Sequence, residues 1–70
     1  MSKLPSLKSR EVLTILFKNG FEKVRTAGSH IRLRKDNYLV TVPYHAVKTI
    51  PRGTLKSIIK QSGIPQEEFN

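Results

Sequence analysis

Residues 28–42 have the sequence GSHIRLRKDNYLVTV, and this stretch decides the predicted fold. In its first half the apolar Ile31 and Leu33 alternate with polar residues, as expected of a half-buried strand. Gly28 and Ser29 suit a two-residue hairpin loop, because glycine as the first central residue favours a type II′ turn. The second half is rich in β-branched and aromatic residues. The stretch therefore predicts two antiparallel strands, residues 30–34 and 38–42, joined by a turn at 35–37.

A helix is predicted upstream of these strands. Ser9 suits the N-cap position, and Glu11 lies in the first turn, where the helix dipole favours a carboxylate. Gly20 is free to adopt the left-handed conformation that ends many helices. We expect residues 1–8, a short basic lead, to be loosely ordered. Helical spacing predicts a buried stripe of Val12, Leu13, Leu16 and Phe17.

A second helix is predicted downstream, after a loop at residues 44–50. Pro51 suits its first turn, where a missing N–H is not needed, and Gly63 again supplies a helix end. Its predicted buried stripe consists of Leu55, Ile58 and Ile59. Residues 65–69 predict one further helical turn that brings Ile64 and Phe69 back onto the body.

The element order is therefore α-β-β-β-α, an α+β fold. Residues 21–27 form the first of its three antiparallel strands, with Val24 as the main apolar anchor. We expect both helices to pack on the face that carries Ile31 and Leu33. The opposite face of the sheet then stays open and basic.

Composition narrows the class of protein. The 70 residues suggest one domain, residues 1–70, and its formal net charge is +8 with a pI near 10.3. Such an excess favours anionic partners, nucleic acid above all, although charge can also serve solubility alone. The chain has no cysteine, and its histidines and carboxylates lack metal-ligand spacing, so we expect no metal and no cofactor. No segment is apolar enough to span a membrane, which favours a cytoplasmic protein.

His30 is the candidate catalytic residue. Strand alternation places Arg32 and Arg34 on its side of the sheet, so that guanidinium groups can hold a phosphodiester while the imidazole moves a proton. RNA is the natural substrate, because its 2′-OH is a nucleophile already tethered beside the phosphorus. Gly28 would let the backbone approach a phosphate and Ser29 could donate a hydrogen bond to it. The alternative is a surface histidine with no role beyond a hydrogen bond.

Further basic residues extend this candidate surface. Lys56 and Lys60 belong to a series at every fourth position on the second helix, and they are candidate phosphate ligands, although an ordinary solvated helix face has the same pattern. His45 is the only possible second imidazole, and most loop histidines are inert. Tyr38 and Tyr44 can stack on bases or pack at the rim. The sheet adds a second cluster, with no carboxylate expected between its members: Arg25, Arg32, Arg34 and Lys35.

These motifs together resemble the HicA-type toxins, small ribosome-independent mRNA interferases of bacterial and archaeal toxin–antitoxin pairs. The resemblance covers nearly the whole chain. It rests on a helix ending in Asn19-Gly20-Phe21, the Gly28-Ser29-His30 triplet, Val42-Pro43-Tyr44-His45, the segment from Gly53-Thr54-Leu55 to Gly63-Ile64, and the closing Glu67-Glu68-Phe69.

The resemblance implies a fold like the double-stranded-RNA-binding domain, with the family's catalytic histidine at His30. It also implies RNA cleavage, growth arrest and neutralisation by a HicB-type antitoxin. Our interpretation is a single-domain ribonuclease that cleaves single-stranded mRNA with one histidine and needs no metal. Two alternatives remain at the level of sequence. A non-catalytic RNA-binding module would use the same basic face. A DNA-binding regulator is less favoured, because strands separate the two helices that a helix-turn-helix would need.

Overall fold

The computed structural model describes residues 4–45 and 47–70, and its element order confirms the predicted α-β-β-β-α fold. A three-stranded antiparallel sheet in the order β1-β2-β3 carries both helices on one face. The α+β class is therefore confirmed. The elements are α1 (Ser9–Lys18), β1 (Glu22–Ala27), β2 (His30–Lys35), β3 (Tyr38–Pro43), α2 (Arg52–Ser62) and a closing 3₁₀ turn (Gln66–Phe69).

Two tight loops set the register of the sheet. Ala27 pairs with His30 across Gly28 and Ser29, and Gly28 has φ +59°. Because Ser29 does not share the positive φ, the loop is of the predicted type II′, not type I′, which needs both. In the second loop Asp36 has φ +53°, a conformation that aspartate tolerates better than most residues.

The core lies between the sheet and the helices. Strand alternation directs Leu33, Val40 and Val42 toward α1 and α2, and none of these three side chains is exposed to solvent. A buried side chain of this size contributes about 1.5–3 kcal/mol relative to exposure. The same core cluster contains Val12 and Leu16 from α1, Leu55 and Ile58 from α2, Phe69 from the closing 3₁₀ turn, and Leu7, Phe21, Ile50 and Ile64 from outside these elements. The predicted return of Ile64 and Phe69 to the body is confirmed.

The prediction for the first strand was wrong in one respect. Val24 is 53% exposed and does not anchor the sheet, because a β-bulge between Lys23 and Arg25 adds one residue to β1 and breaks the alternation. All six residues of β1 are exposed. The apolar anchor of this region is Phe21, which is 3% exposed and precedes the strand.

The start of α1 also differs from the prediction. Ser9 is not the N-cap: Lys8 holds that position, and Ser9 lies buried inside the first turn. Glu11 does act in the first turn, since its carboxylate accepts a hydrogen bond of 2.8 Å from the Lys8 N–H. Phe17 is 48% exposed, so the predicted stripe was wrong at its last position. Gly20, at φ +94°, ends the helix region as expected.

The chain before α1 is better fixed than expected where the structure describes it. Leu7 is buried, and its carbonyl accepts a hydrogen bond of 2.8 Å from the Ile50 N–H. Lys8 forms an isolated β-bridge with Thr49. Pairing with a segment some forty residues away leaves no local signal, which is why the sequence did not predict it. The first three residues of the predicted basic lead lie outside the described residues.

The boundaries of α2 follow the prediction closely. The helix begins at Arg52, one residue after Pro51, and Gly63 follows it in the left-handed conformation at φ +71°. Leu55 and Ile58 are buried, and Ile59 packs at the margin of the core. Both helices therefore press on one face of the sheet, and the opposite face is open.

Candidate functional site

The open face of the sheet carries a cleft lined with arginine. Cross-strand pairing places Arg25 opposite Arg32 and Arg32 opposite Thr41. Ala27 and His30 form the next pair toward the β1–β2 loop. These five residues line a cleft of about 250 Å³, in which two guanidinium groups adjoin one imidazole. We refer to it as the arginine cleft.

His30 has a fixed backbone and an accessible side chain. As the first residue of β2 it is paired on both sides, with Ala27 in β1 and with Pro43 in β3. The Tyr44 N–H donates a hydrogen bond of 2.6 Å to the Ser29 carbonyl, which ties the end of β3 to the hairpin loop. The imidazole itself is exposed. A side chain held this way can reach a ligand on the open face with little loss of backbone freedom.

A second cleft begins on the other side of His30. It lies where β3, an edge strand, meets α2, and its volume is about 420 Å³. His30 and Thr41 line both clefts, so the two meet at the imidazole. The other lining residues are Pro43 from β3 and Thr54, Ser57, Ile58 and Gln61 from α2. We refer to it as the neutral cleft, because none of its lining residues except His30 is ionisable.

The helix residues of the neutral cleft were missed at the level of sequence. Thr54, Ser57 and Gln61 are separated by three and four positions, which puts them on one side of a helix. That spacing of uncharged polar residues was the available signal. It was hidden by the stronger basic series on the same helix.

The predicted phosphate ligands are distributed unequally. Arg32 lies beside His30 in the arginine cleft. Arg34 is on the same face, but it lines neither cleft. In the register of β1 and β2 it lies directly opposite Glu22. The expectation of a cluster without carboxylates was therefore wrong at this position. Lys35 faces the helix side of the sheet, where its Cε lies 3.3 Å from the position of a Cβ built on Gly20.

The lysines of α2 do not converge with His30. Lys56 and Lys60 are exposed, and neither lines the arginine cleft or the neutral cleft. Each residue of an α-helix is rotated by about 100° from the one before, so Lys56 and Lys60 project from a different side than Ser57 and Gln61. They extend the positive surface of the molecule away from the imidazole.

The hairpin loop leaves room for a ligand. A Cβ built on Gly28 would meet no atom within 4 Å, so the backbone there is approachable from outside. Ser29 is exposed, and its carbonyl is already used by Tyr44. Phosphate binding by Gly28 and Ser29 stays a prediction.

The remaining histidine and tyrosines lie apart from this site. His45 is exposed and lines neither cleft, and its backbone N–H donates a hydrogen bond of 3.2 Å to the Ser9 hydroxyl. The Tyr38 ring is on the helix side, where its Cζ lies 2.8 Å from the position of a Cβ built on Gly63. Tyr38 therefore packs at the rim of the core, against Gly63. Tyr44 is exposed and follows the end of β3.

Two further features concern metals and membranes. Within residues 4–45 and 47–70, no three histidine, cysteine or acidic side chains are grouped so that they could hold a metal ion. In the same part of the chain, neither helix has the length and apolar character needed to cross a bilayer.

The fold and site define a class: small basic α-β-β-β-α proteins with one histidine on a cationic, uncovered sheet face. The chain belongs to the HicA toxin family of bacterial toxin–antitoxin systems, whose family model matches residues 9–64. That match contains all elements except the closing 3₁₀ turn. The protein is therefore a toxin of a toxin–antitoxin pair, with a cognate antitoxin as its partner. No curated protein matches the chain significantly.

Proposed function

We propose that this toxin is an endoribonuclease that cleaves single-stranded mRNA without a metal ion, with His30 as general acid and base. The observation that carries the proposal is the exposed imidazole of His30 at the end of a cleft lined by Arg25 and Arg32. Membership of the HicA family supports the same activity. Because mRNA is the substrate, the proposed place of action is the cytoplasm.

The proposed reaction uses the 2′-OH of the RNA as nucleophile. Its oxygen attacks the adjacent phosphorus while the bond from phosphorus to the 5′-oxygen breaks. His30 takes the proton from the 2′-OH and returns it to the departing 5′-oxygen. The products are a 2′,3′-cyclic phosphate and a 5′-OH, with no other reactant consumed. Proton transfer by a positioned side chain accelerates such steps about 10²–10⁴-fold.

The arginines stabilise the charge that develops on the phosphate. Arg25 and Arg32 face each other across β1 and β2, so both guanidinium groups can donate to the non-bridging oxygens of one phosphate. Preformed donors of this kind favour the transition state because they need not reorient as the charge builds. Gly28 and Ser29 supply backbone and hydroxyl donors at the loop, and Arg34, Lys56 and Lys60 bind phosphates farther along the strand.

The cognate antitoxin is proposed to be of the HicB type and to cover the open face. The basic charge of that face favours an acidic partner. Exposed apolar side chains border this face. Leu39 in β3 lies opposite Arg34 of β2, and Tyr44 follows the end of β3. A partner that contacts them can bury apolar area while it excludes RNA from the arginine cleft.

The decisive variant is His30→Ala. We expect it to slow cleavage of single-stranded RNA in EDTA by about 10²–10⁴-fold, because the proton carrier is lost. His45→Ala is the matched control, since it removes the other imidazole from a position that lines neither cleft, and we expect it to cleave at the wild-type rate. Both variants should keep the wild-type circular dichroism spectrum and antitoxin binding.

Two outcomes would contradict the proposal. Undiminished cleavage by His30→Ala would remove the imidazole from the mechanism. Tight retention of intact RNA by the wild-type protein would instead identify a non-catalytic RNA-binding module. A substrate with a single 2′-deoxy nucleotide at the cleavage position tests the chemistry separately, and it should resist cleavage while it still binds.

A further inference from the structure

We propose that the neutral cleft between β3 and α2 binds an unpaired nucleobase next to the phosphate held in the arginine cleft. It would thereby select the nucleotide at which RNA is cut. The inference rests on the proposed ribonuclease activity for its place in the reaction. The base-binding cleft itself is argued from its own residues.

The first argument is adjacency. His30 and Thr41 line the arginine cleft on one side and the neutral cleft on the other. A phosphate beside Arg32 would therefore lie next to a cleft that shares two lining residues with its own. When a single-stranded RNA crosses the open face at His30, the base next to the bound phosphate can enter the neutral cleft.

The second argument is the contrast in charge. The arginine cleft has two guanidinium groups, whereas the neutral cleft has hydroxyl, amide and apolar groups around the same imidazole. Phosphates are drawn to the first, and a flat, uncharged base with polar edges suits the second. The volume of about 420 Å³ lies in the range of small-ligand sites, roughly 300–1,000 Å³.

The third argument concerns the hydrogen-bonding groups of α2. Among residues 4–45 and 47–70, no hydrogen bond involves the side chains of Thr54, Ser57 or Gln61. Ser62 on the same helix behaves differently, because its hydroxyl donates to the Ile59 carbonyl and accepts from the Ile64 N–H. Serine and threonine are weaker helix formers than alanine or leucine. No internal bond offsets that cost at positions 54 and 57, where Thr54 is half-buried and Ser57 is exposed, so both hydroxyls are open to water or to a ligand.

The side chain of Gln61 indicates which base fits best. A glutamine amide offers one donor and one acceptor side by side, which match the N7 acceptor and the N6 amino donor on the Hoogsteen edge of adenine. Guanine presents two acceptors on that edge, whereas the Watson–Crick edge of every unpaired base offers an adjacent donor and acceptor and does not discriminate. Thr54 and Ser57 can each donate or accept, so they discriminate less. The apolar Pro43 and Ile58 provide contact for the base itself. Adenine is therefore the base that we expect to gain most from this cleft.

The test measures base preference without cleavage. Short single-stranded RNAs that differ only in one central base are bound to the full-length His30→Ala protein, and affinity is measured by fluorescence anisotropy. We expect about fivefold tighter binding of the adenine oligonucleotide, the lower end for a bidentate contact. Adding Gln61→Ala should bring the four affinities together while the salt dependence of binding stays the same. Asn70→Ala, which removes an exposed amide outside the cleft, is the matched control and should keep the preference.

Each outcome decides between the possibilities. Equal affinity for all four bases in the His30→Ala protein, or a preference that survives Gln61→Ala, would overturn the base site. So would a Gln61→Ala protein that loses only antitoxin affinity, because the cleft would then belong to the antitoxin. Base preference in a wild-type protein that leaves RNA intact would refute the ribonuclease and retain the base site. Cleavage of RNA without any base preference would support the ribonuclease and refute the base site.

Discussion

The hydroxyl of Ser9 connects the first turn of α1 to the segment that follows β3. It donates a hydrogen bond of 2.7 Å to the Pro43 carbonyl and accepts one of 3.2 Å from the His45 N–H. Tyr44, between these two residues, is bonded to Ser29 in the hairpin loop. One buried side chain thus helps to hold the end of β3, where Pro43 lines the neutral cleft. Its role follows from contacts across 34 and 36 positions of sequence.

We expect Ser9→Ala to lower the free energy of unfolding by about 1–3 kcal/mol, because it removes the partner of two backbone groups. For a domain of this size each kcal/mol lowers Tm by roughly 4–8 °C. Thr14→Ala is the control on the same helix, since its exposed hydroxyl bonds only to the Arg10 carbonyl and alanine is the better helix former. Equal Tm values for the two variants would contradict the role of Ser9.

At the scale of elements, the glycine near the start of α2 and the glycine that follows its end differ in whether the structure requires a glycine. Gly53 lies in the first turn, and a Cβ added there would meet nothing within 4 Å. Gly63 follows the last turn at φ +71°, and a Cβ added there would lie 2.8 Å from Tyr38 Cζ. The first glycine is dispensable to the helix. The second both ends the helix and lets the Tyr38 ring approach it.

Alanine substitutions at these glycines should therefore have opposite signs. Gly53→Ala should raise the free energy of unfolding by about 0.4–1 kcal/mol, since it restricts the unfolded chain at a compatible position. Gly63→Ala should lower it by more than about 1 kcal/mol, from the left-handed backbone alone, and further because the ring must move. Urea unfolding of the two variants measures both changes. A stabilised Gly63→Ala protein would contradict the described helix end.

At the scale of the whole molecule, two separate surfaces carry basic residues that are relevant to the site. One is the open sheet face with Arg25 and Arg32, and the other is the side of α2 with Lys56 and Lys60. We expect a short RNA at His30 to contact only the first surface, because Lys56 and Lys60 line neither cleft. A longer RNA can continue onto the second.

Salt dependence of binding separates these surfaces. For single-stranded nucleic acid, each neutralised phosphate contributes about 0.7 to the slope of log affinity against log salt. In the His30→Ala background, Arg32→Ala should reduce the slope by about that amount with short and long RNA alike. Lys60→Ala should reduce it with the long RNA only. A reduced slope for Lys60→Ala with the short RNA would show that the path does not follow the clefts.

The parts of the fold that were predictable depend on neighbours in sequence. The hairpin at Gly28, the helix end at Gly63 and the alternation around Leu33 each arise from the conformational preferences of a few adjacent residues. The position of His30 at the start of β2, on the open face with Arg32, follows from the same rules. The bulge at Val24 was not predictable in this way, because one extra residue shifts the alternation without a glycine or proline to mark it.

The sequence by itself determined the order of helices and strands, the positive charge and the face on which His30 lies, because periodicity and turn chemistry are local. Only the tertiary structure decided which parts of α2 and α1 meet that face. It brought Thr54, Ser57 and Gln61 to the imidazole and left Lys56 and Lys60 outside, and it used Ser9 as a tether instead of a cap. The physical reason is that side-chain burial fixes the rotation of a helix about its axis. Here Leu55 and Ile58 point α2 into the core, and this rotation turns its uncharged side toward His30.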